Sequence, residues 1–256
     1  MTQVQWLLAV ATGLAAGLPA WAKEVRMAVP RSVPPYVIAE NWSGIEYDVV
    51  KQSLAKEGHV LVPHLTVLAR LPKELQSDEI DAAMTMKPET GVAACYSDSH
   101  VTYRNYAISL ERNGLEVNSV ADLAGKTVVA FQNARIYLGA GYAGAVQGSA
   151  FYREEANQVV QALLLYSGRM QIVVADVNIF RWFAAQPEVT AKVDTSLKLR
   201  LHAIFPPTDY HVAFHDPALC ADFNRGLRKL RDSGEYDRIV AAYLAPAAAR
   251  PGQNPP

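Results

Sequence analysis

Only two cysteines, Cys95 and Cys220, occur in 256 residues, too few for a cysteine-rich metal site or a disulfide-stapled miniprotein. In an oxidising compartment the two would pair. They serve equally well as two small buried hydrophobes, and their spacing matches neither a zinc site nor a redox motif. Charge of one sign is also lacking. The net charge is −1 with 19% charged residues, and no basic stripe with interleaved aromatics appears, so no nucleic-acid partner is expected. There is no Gly-x-Ser-x-Gly elbow and no glycine-rich phosphate loop. The histidines (His59, His64, His100, His202, His211 and His215) fall at no helical metal-binding spacing, so neither a metal nor a cofactor is expected. Beyond residue 22 no apolar stretch reaches bilayer-spanning length.

What is present begins with an uncharged stretch of 22 residues, running through Trp6-Leu7-Leu8-Ala9-Val10 to Pro19-Ala20-Trp21-Ala22. An apolar run followed by small residues at Ala20 and Ala22 reads as an export signal cleaved after Ala22, with a periplasmic destination. Gly13, Gly17 and Pro19 interrupt the run and argue against a membrane anchor. The remaining chain, within a sequence 50% hydrophobic, can bury a sizeable core as one large or two small domains.

Hydrophobic periodicity predicts strands over residues 25–29, 60–67 and 80–86, with helices from Ile45 and over 70–76. Gly58 marks the first helix's C-terminus, and Pro72 sits in the first turn of the second. That alternation predicts a parallel sheet with right-handed crossovers. A second unit starts near Leu123-Ala124-Gly125-Lys126, with strands at 127–131, 149–153 and 171–175 and helices over 137–146 and 154–165. Asp176 is placed to cap a helix through Ala184. Two β runs follow at 199–204 and 210–214. Asp216-Pro217 opens a helix that Gly234 stops, and residues 235–244 form the last one.

These residues resemble the bacterial periplasmic solute-binding proteins of the polar-amino-acid uptake type. The resemblance runs from about Val25 to Leu244. It is carried by Pro35-Tyr36 with Gly44-Ile45-Glu46-Tyr47-Asp48, by Arg70-Leu71-Pro72 with Ile80-Asp81-Ala82, by Leu123-Ala124-Gly125-Lys126-Thr127-Val128, and by Leu230-Arg231-Asp232-Ser233-Gly234-Glu235-Tyr236-Asp237. It implies an α/β, two-lobed periplasmic-binding-protein type II fold, each lobe a mostly parallel sheet flanked by helices. Residues 1–22 would be the signal peptide, 23–107 the first part of lobe 1 and 108–210 lobe 2. Residues 211–246 would return to lobe 1, and 247–256 would be a disordered tail. Crossing strands near 103–110 and 210–214 would let the lobes close on a ligand beyond the strands' carboxyl ends.

The resemblance also implies site positions. Ala83 and Thr85 match ligand-touching positions at the end of the third strand. The family's carboxylate-gripping arginine aligns with Thr90 and is missing. In lobe 2 the family's Gln-Gly-Ser/Thr-Thr turn is replaced by Gln132-Asn133-Ala134-Arg135. Arg135 is therefore expected to supply the lost cation, gripping an acidic group from the far lobe. Asp176 matches the acceptor of the ligand's ammonium, although a carboxylate there also caps the following helix. Tyr36 would close over an apolar part of the ligand. Glu46 and Asp48 read as first-turn carboxylates that complement the helix dipole, and Trp182 and Phe183 as core.

The expected function is non-catalytic: a monomeric receptor capturing an amino acid or related carboxylate, with an ABC permease as its protein partner. Two rivals stand beside it, a sensing or accessory periplasmic domain and a dehydratase-like enzyme on the same scaffold.

Overall fold

The computed structural model describes residues 23–31 and 33–245. The export signal assigned to residues 1–22 and the tail assigned to 247–256 lie outside the described residues. In chain order the first elements are β1 (Glu24–Pro30), α1 (Ile45–Ala55), β2 (Val60–Thr66), α2 (Leu71–Glu74), β3 (Ala82–Met86), β4 (Cys95–Tyr96) and β5 (Val101–Tyr103). Next come β6 (Asn105–Leu110), β7 (Thr127–Phe131), α3 (Ala134–Tyr137), α4 (Gly139–Ala145), β8 (Phe151–Glu155), α5 (Gln158–Tyr166), β9 (Ile172–Asp176), α6 (Val177–Ala184) and α7 (Pro187–Thr190). The chain continues through β10 (Leu199–His202), β11 (Thr208–Phe214), α8 (Pro217–Asp232) and α9 (Glu235–Leu244).

The strands form two sheets. One has the order β2-β1-β3-β11-β4, with β5 also on β11; the other has the order β10-β6-β9-β7-β8. In both, the pairs built from strand-helix-strand units are parallel, β1 with β2 and β3, and β7 with β8 and β9. Strands that pass between the lobes, β6 and β11, pair antiparallel. The chain leaves the first sheet at Arg104, between β5 and β6, so the crossing expected over 103–110 is split there.

Local chemistry sets the helix ends. The side chains of Asn157, Asp176 and Asp216 accept first-turn N–H groups of α5, α6 and α8, respectively. Gly234, with φ 70°, separates α8 from α9. The helix expected from residue 154 begins instead at Gln158. Glu154 and Glu155 extend β8 because they sit in register with Ala130 and Phe131 of β7, and Asn157 then caps the helix.

Each sheet is covered on both faces. In the first lobe Val25, Met27, Val29, Met84 and Phe214 pack under α1 and α8, while Ala28, Ala83 and Met86 pack against Leu71 and Leu75. At roughly 1.5–3 kcal/mol for each large apolar side chain buried, these layers supply the main favourable term. Cys95 and Cys220 are joined, tying β4 to α8 with Cα atoms 6.2 Å apart. The pairing reading therefore holds over the two-hydrophobe one.

α8 approaches α1 closely. A Cβ built on Gly226 would lie 1.9 Å from the Ser53 carbonyl oxygen, so only glycine fits. Gly226→Ala is expected to force the helices apart and cost about 1–3 kcal/mol. Urea denaturation checks this; an unchanged midpoint would show that the contact is not tight.

Candidate functional site

β3 carries an irregularity that shapes the gap between the lobes. Met86 pairs with His211 and Ala83 with Ala213, so β3 holds one more residue than β11 over that interval. Within this bulge Thr85 adopts φ 58°, rare for a β-branched residue. Its hydroxyl donates to Glu46 Oε1 at 2.7 Å. Lys87 follows at the carboxyl end of the strand, where an open α/β sheet presents its ligand groups.

Lys87 lines an interlobe chamber of about 220 Å³. Val33, Leu68 and Lys87 come from the first lobe, and Phe131, Gln132, Glu155, Asp176 and Ile179 from the second. Tyr103, Asn105, Thr208 and Tyr210 come from the crossing segments. A second chamber of about 310 Å³, containing Thr85 and Thr90, shares Leu68, Lys87, Tyr137 and Tyr210 with it. Among the described residues Lys87 is the only cation lining either chamber.

Behind the first chamber the lobes are joined by hydrogen bonds. The Tyr36 hydroxyl lies 3.2 Å from both carboxylate oxygens of Asp176 and accepts from Asn178 Nδ2 at 3.1 Å. Asp176 also accepts from Asn178 N, Ile179 N and Arg104 N at 2.9, 3.0 and 2.7 Å. Burial pushes its carboxyl above the usual range, and the hydrogen bonds from Ile179, Arg104, Asn178 and Tyr36 oppose the rise. The Tyr36 ring stacks on Tyr103 with centroids 3.9 Å apart. Burial, and then the Asp176 charge, push the Tyr36 hydroxyl well up, so it stays a donor.

Tyr103 continues this network into the first lobe. Its hydroxyl donates to Glu46 Oε2 at 3.1 Å, and His100 Nε2 lies 2.9 Å from Glu46 Oε1. Glu46 and His100 are both fully buried. Glu46 is the first-turn carboxylate expected, and its burial makes it a structural anchor of the core. Asp48 is bound by the Tyr243 hydroxyl at 2.5 Å.

The structure separates the positions drawn from sequence. Gln132 and Asp176 line the first chamber, and Thr85 and Thr90 the adjoining one. Thr90 is exposed and donates to the Lys87 carbonyl. Ala83 is sealed in the core and touches neither chamber. Tyr36 also lines neither, because its ring is taken up by Tyr103 and its hydroxyl by Asp176. Arg135 departs furthest from expectation. Its Nε lies 3.2 Å from Glu154 Oε1, its guanidinium sits over the Tyr152 ring, and it lines neither chamber. Glu154 draws it to the neighbouring strand, also accepting from Asn133 N, Arg135 N and the Tyr152 hydroxyl. Trp182 is buried and Phe183 partly buried, as expected of core. Glu155 and Tyr210 were not anticipated as lining, and Lys87 was not expected to bind ligand. For Lys87 the available signal was its place directly after a buried strand.

Two α/β lobes, two crossings and a lined gap define a bilobal binding protein of the type II periplasmic class. Residues 25–246 match the bacterial extracellular solute-binding proteins, family 3, and the chain belongs to that family. No curated protein matches it by sequence. Among solved structures it is similar to the amino acid ABC transporter substrate-binding protein AbpA from Streptococcus pneumoniae, bound to L-arginine. The identity is 17% and the TM-score 0.63, covering 86% of this chain and 94% of that one. A histidine kinase sensor domain with similarity to periplasmic binding proteins gives 17% and 0.66, covering 88% and 97%. The ancestral amino acid-binding protein AncCDT-1, a precursor of cyclohexadienyl dehydratase, gives 18% and 0.65, covering 87% and 96%. At these identities the likeness speaks for the fold.

Proposed function

We propose that the protein is a periplasmic receptor that captures a small amino acid or related carboxylate between its lobes and delivers it to an ABC permease. The observation that carries this reading is Lys87. Its ammonium has no ion-pair or side-chain hydrogen-bond partner among the described residues, and it lines both interlobe chambers. A carboxylate is a ligand group that such a cation holds through a charge-assisted hydrogen bond. In this role Lys87 stands in for the arginine missing at Thr90. Family membership and the export-type leader support transport and a periplasmic location.

Thermal-shift screening and calorimetry against L-amino acids and organic acids test the reading. A stabilising hit is expected, with affinity falling about tenfold or more in Lys87→Ala. Absence of any hit would overturn capture. A sensing or accessory role is the second reading, favoured by the Tyr36–Asp176 contact, which joins the lobes through protein groups alone. It predicts a protein partner and no stabilising solute.

A further inference from the structure

Resting on the capture reading above, we infer that the crevice selects carboxylates that carry no ammonium group, rather than zwitterionic amino acids. The reason lies in how its two acids are already used. A carboxylate offers about four lone-pair positions. Those of Asp176 face the backbone N–H groups of Arg104, Asn178 and Ile179 and the Tyr36 hydroxyl, which straddles both oxygens. The hydroxyl comes from the opposite lobe and takes up acceptor positions on both oxygens that a ligand's ammonium would otherwise need. It cannot swing aside cheaply, because Tyr36 is 2% exposed, stacks on Tyr103 and is held by Asn178.

Glu155, the other acid in the lining, is ion-paired with Arg153. The remaining charge is Lys87, and around it the walls are largely phenolic rings, aliphatic side chains and neutral amides. The negative charge of Asp176 still attracts a cation at a distance. However, contact would require removing the Tyr36 hydroxyl and leaving it buried without its acceptor, a loss that outweighs a screened attraction. A ligand with a carboxylate and an apolar body meets Lys87 and the rings without disturbing any of these bonds.

Matched pairs differing only in the amino group test the inference on the purified protein: L-phenylalanine against 3-phenylpropionate, L-leucine against 4-methylpentanoate, and L-glutamate against glutarate. Calorimetry is expected to show at least one des-amino member binding about tenfold or more tightly than its partner. Tyr36→Phe keeps the ring stack but uncovers Asp176, and should narrow that ratio by improving the amino acid's affinity. Lys87→Ala should weaken the des-amino ligand. If the amino acids bind as well or better, the inference falls while capture stands. If no member of any pair binds, capture falls and the inference with it. A ratio unchanged in Tyr36→Phe would overturn the assignment of selectivity to that hydroxyl.

Discussion

Glu46→Ala should lower the unfolding free energy by about 3–5 kcal/mol, the range for removing one partner from a buried charged network. The carboxylate accepts from Thr85, His100 and Tyr103, each itself buried, and all three lose their acceptor together. His100 is poorly placed to compensate, since its Nδ1 already lacks a partner. Thr85 offsets part of the loss, because its backbone strain can relax once that bond is gone. Its φ of 58° is held in part by the bond to Glu46, and a β-branched residue in the left-handed region stores about 1–2 kcal/mol of strain. Glu46→Gln keeps one oxygen and the side-chain volume, so a smaller loss is expected from it. Equilibrium urea denaturation of both variants is the measurement. A loss below about 1 kcal/mol for Glu46→Ala would show that the cluster does not anchor the lobe. The effect should reach the crevice as well, because the Thr85 bulge sets where Lys87 emerges.

Removing the Cys95–Cys220 bridge by replacing both residues with alanine should cost about 2–5 kcal/mol. The two cysteines are 125 residues apart in sequence, and the loop they close contains the whole second sheet, from β6 to β10. Freed from that constraint, the unfolded chain gains entropy. The loop-closure estimate for this length is about 5 kcal/mol and serves as an upper value. Comparing denaturation midpoints of the double variant and the oxidised protein tests it. Identical midpoints would mean that the bridge contributes nothing to the folded state's advantage. Cys220 is 1% exposed within the α8 core face, so part of any loss comes from packing. Comparing the reduced wild-type protein with the Cys220→Ala variant separates the two contributions.

Much of the architecture was readable along the chain. Helix starts at Asp176 and Asp216, the stop at Gly234 and the buried strands are local statements, each settled by a few neighbouring residues. β8 shows where local reading fails. Glu154 and Glu155 suit a helix, yet pairing with Ala130 and Phe131 keeps them in a strand. The site was less readable. Arg135 was matched to a ligand-facing position, but nothing near it in sequence announces that Glu154, on an adjacent strand, claims its guanidinium.

What the chain by itself determined is the order of its pieces: two strand-helix units, a return strand and a pair of closing helices. Capping, glycine and apolar periodicity act over a few residues and are legible there. Only the tertiary structure decided which charges remain available between the lobes. Tyr36 meets Asp176 across 140 positions and Glu46 meets His100 across 54, and such meetings depend on sheet register and lobe packing rather than on local preference. Those same contacts leave Lys87 as the free cation lining the gap among the described residues.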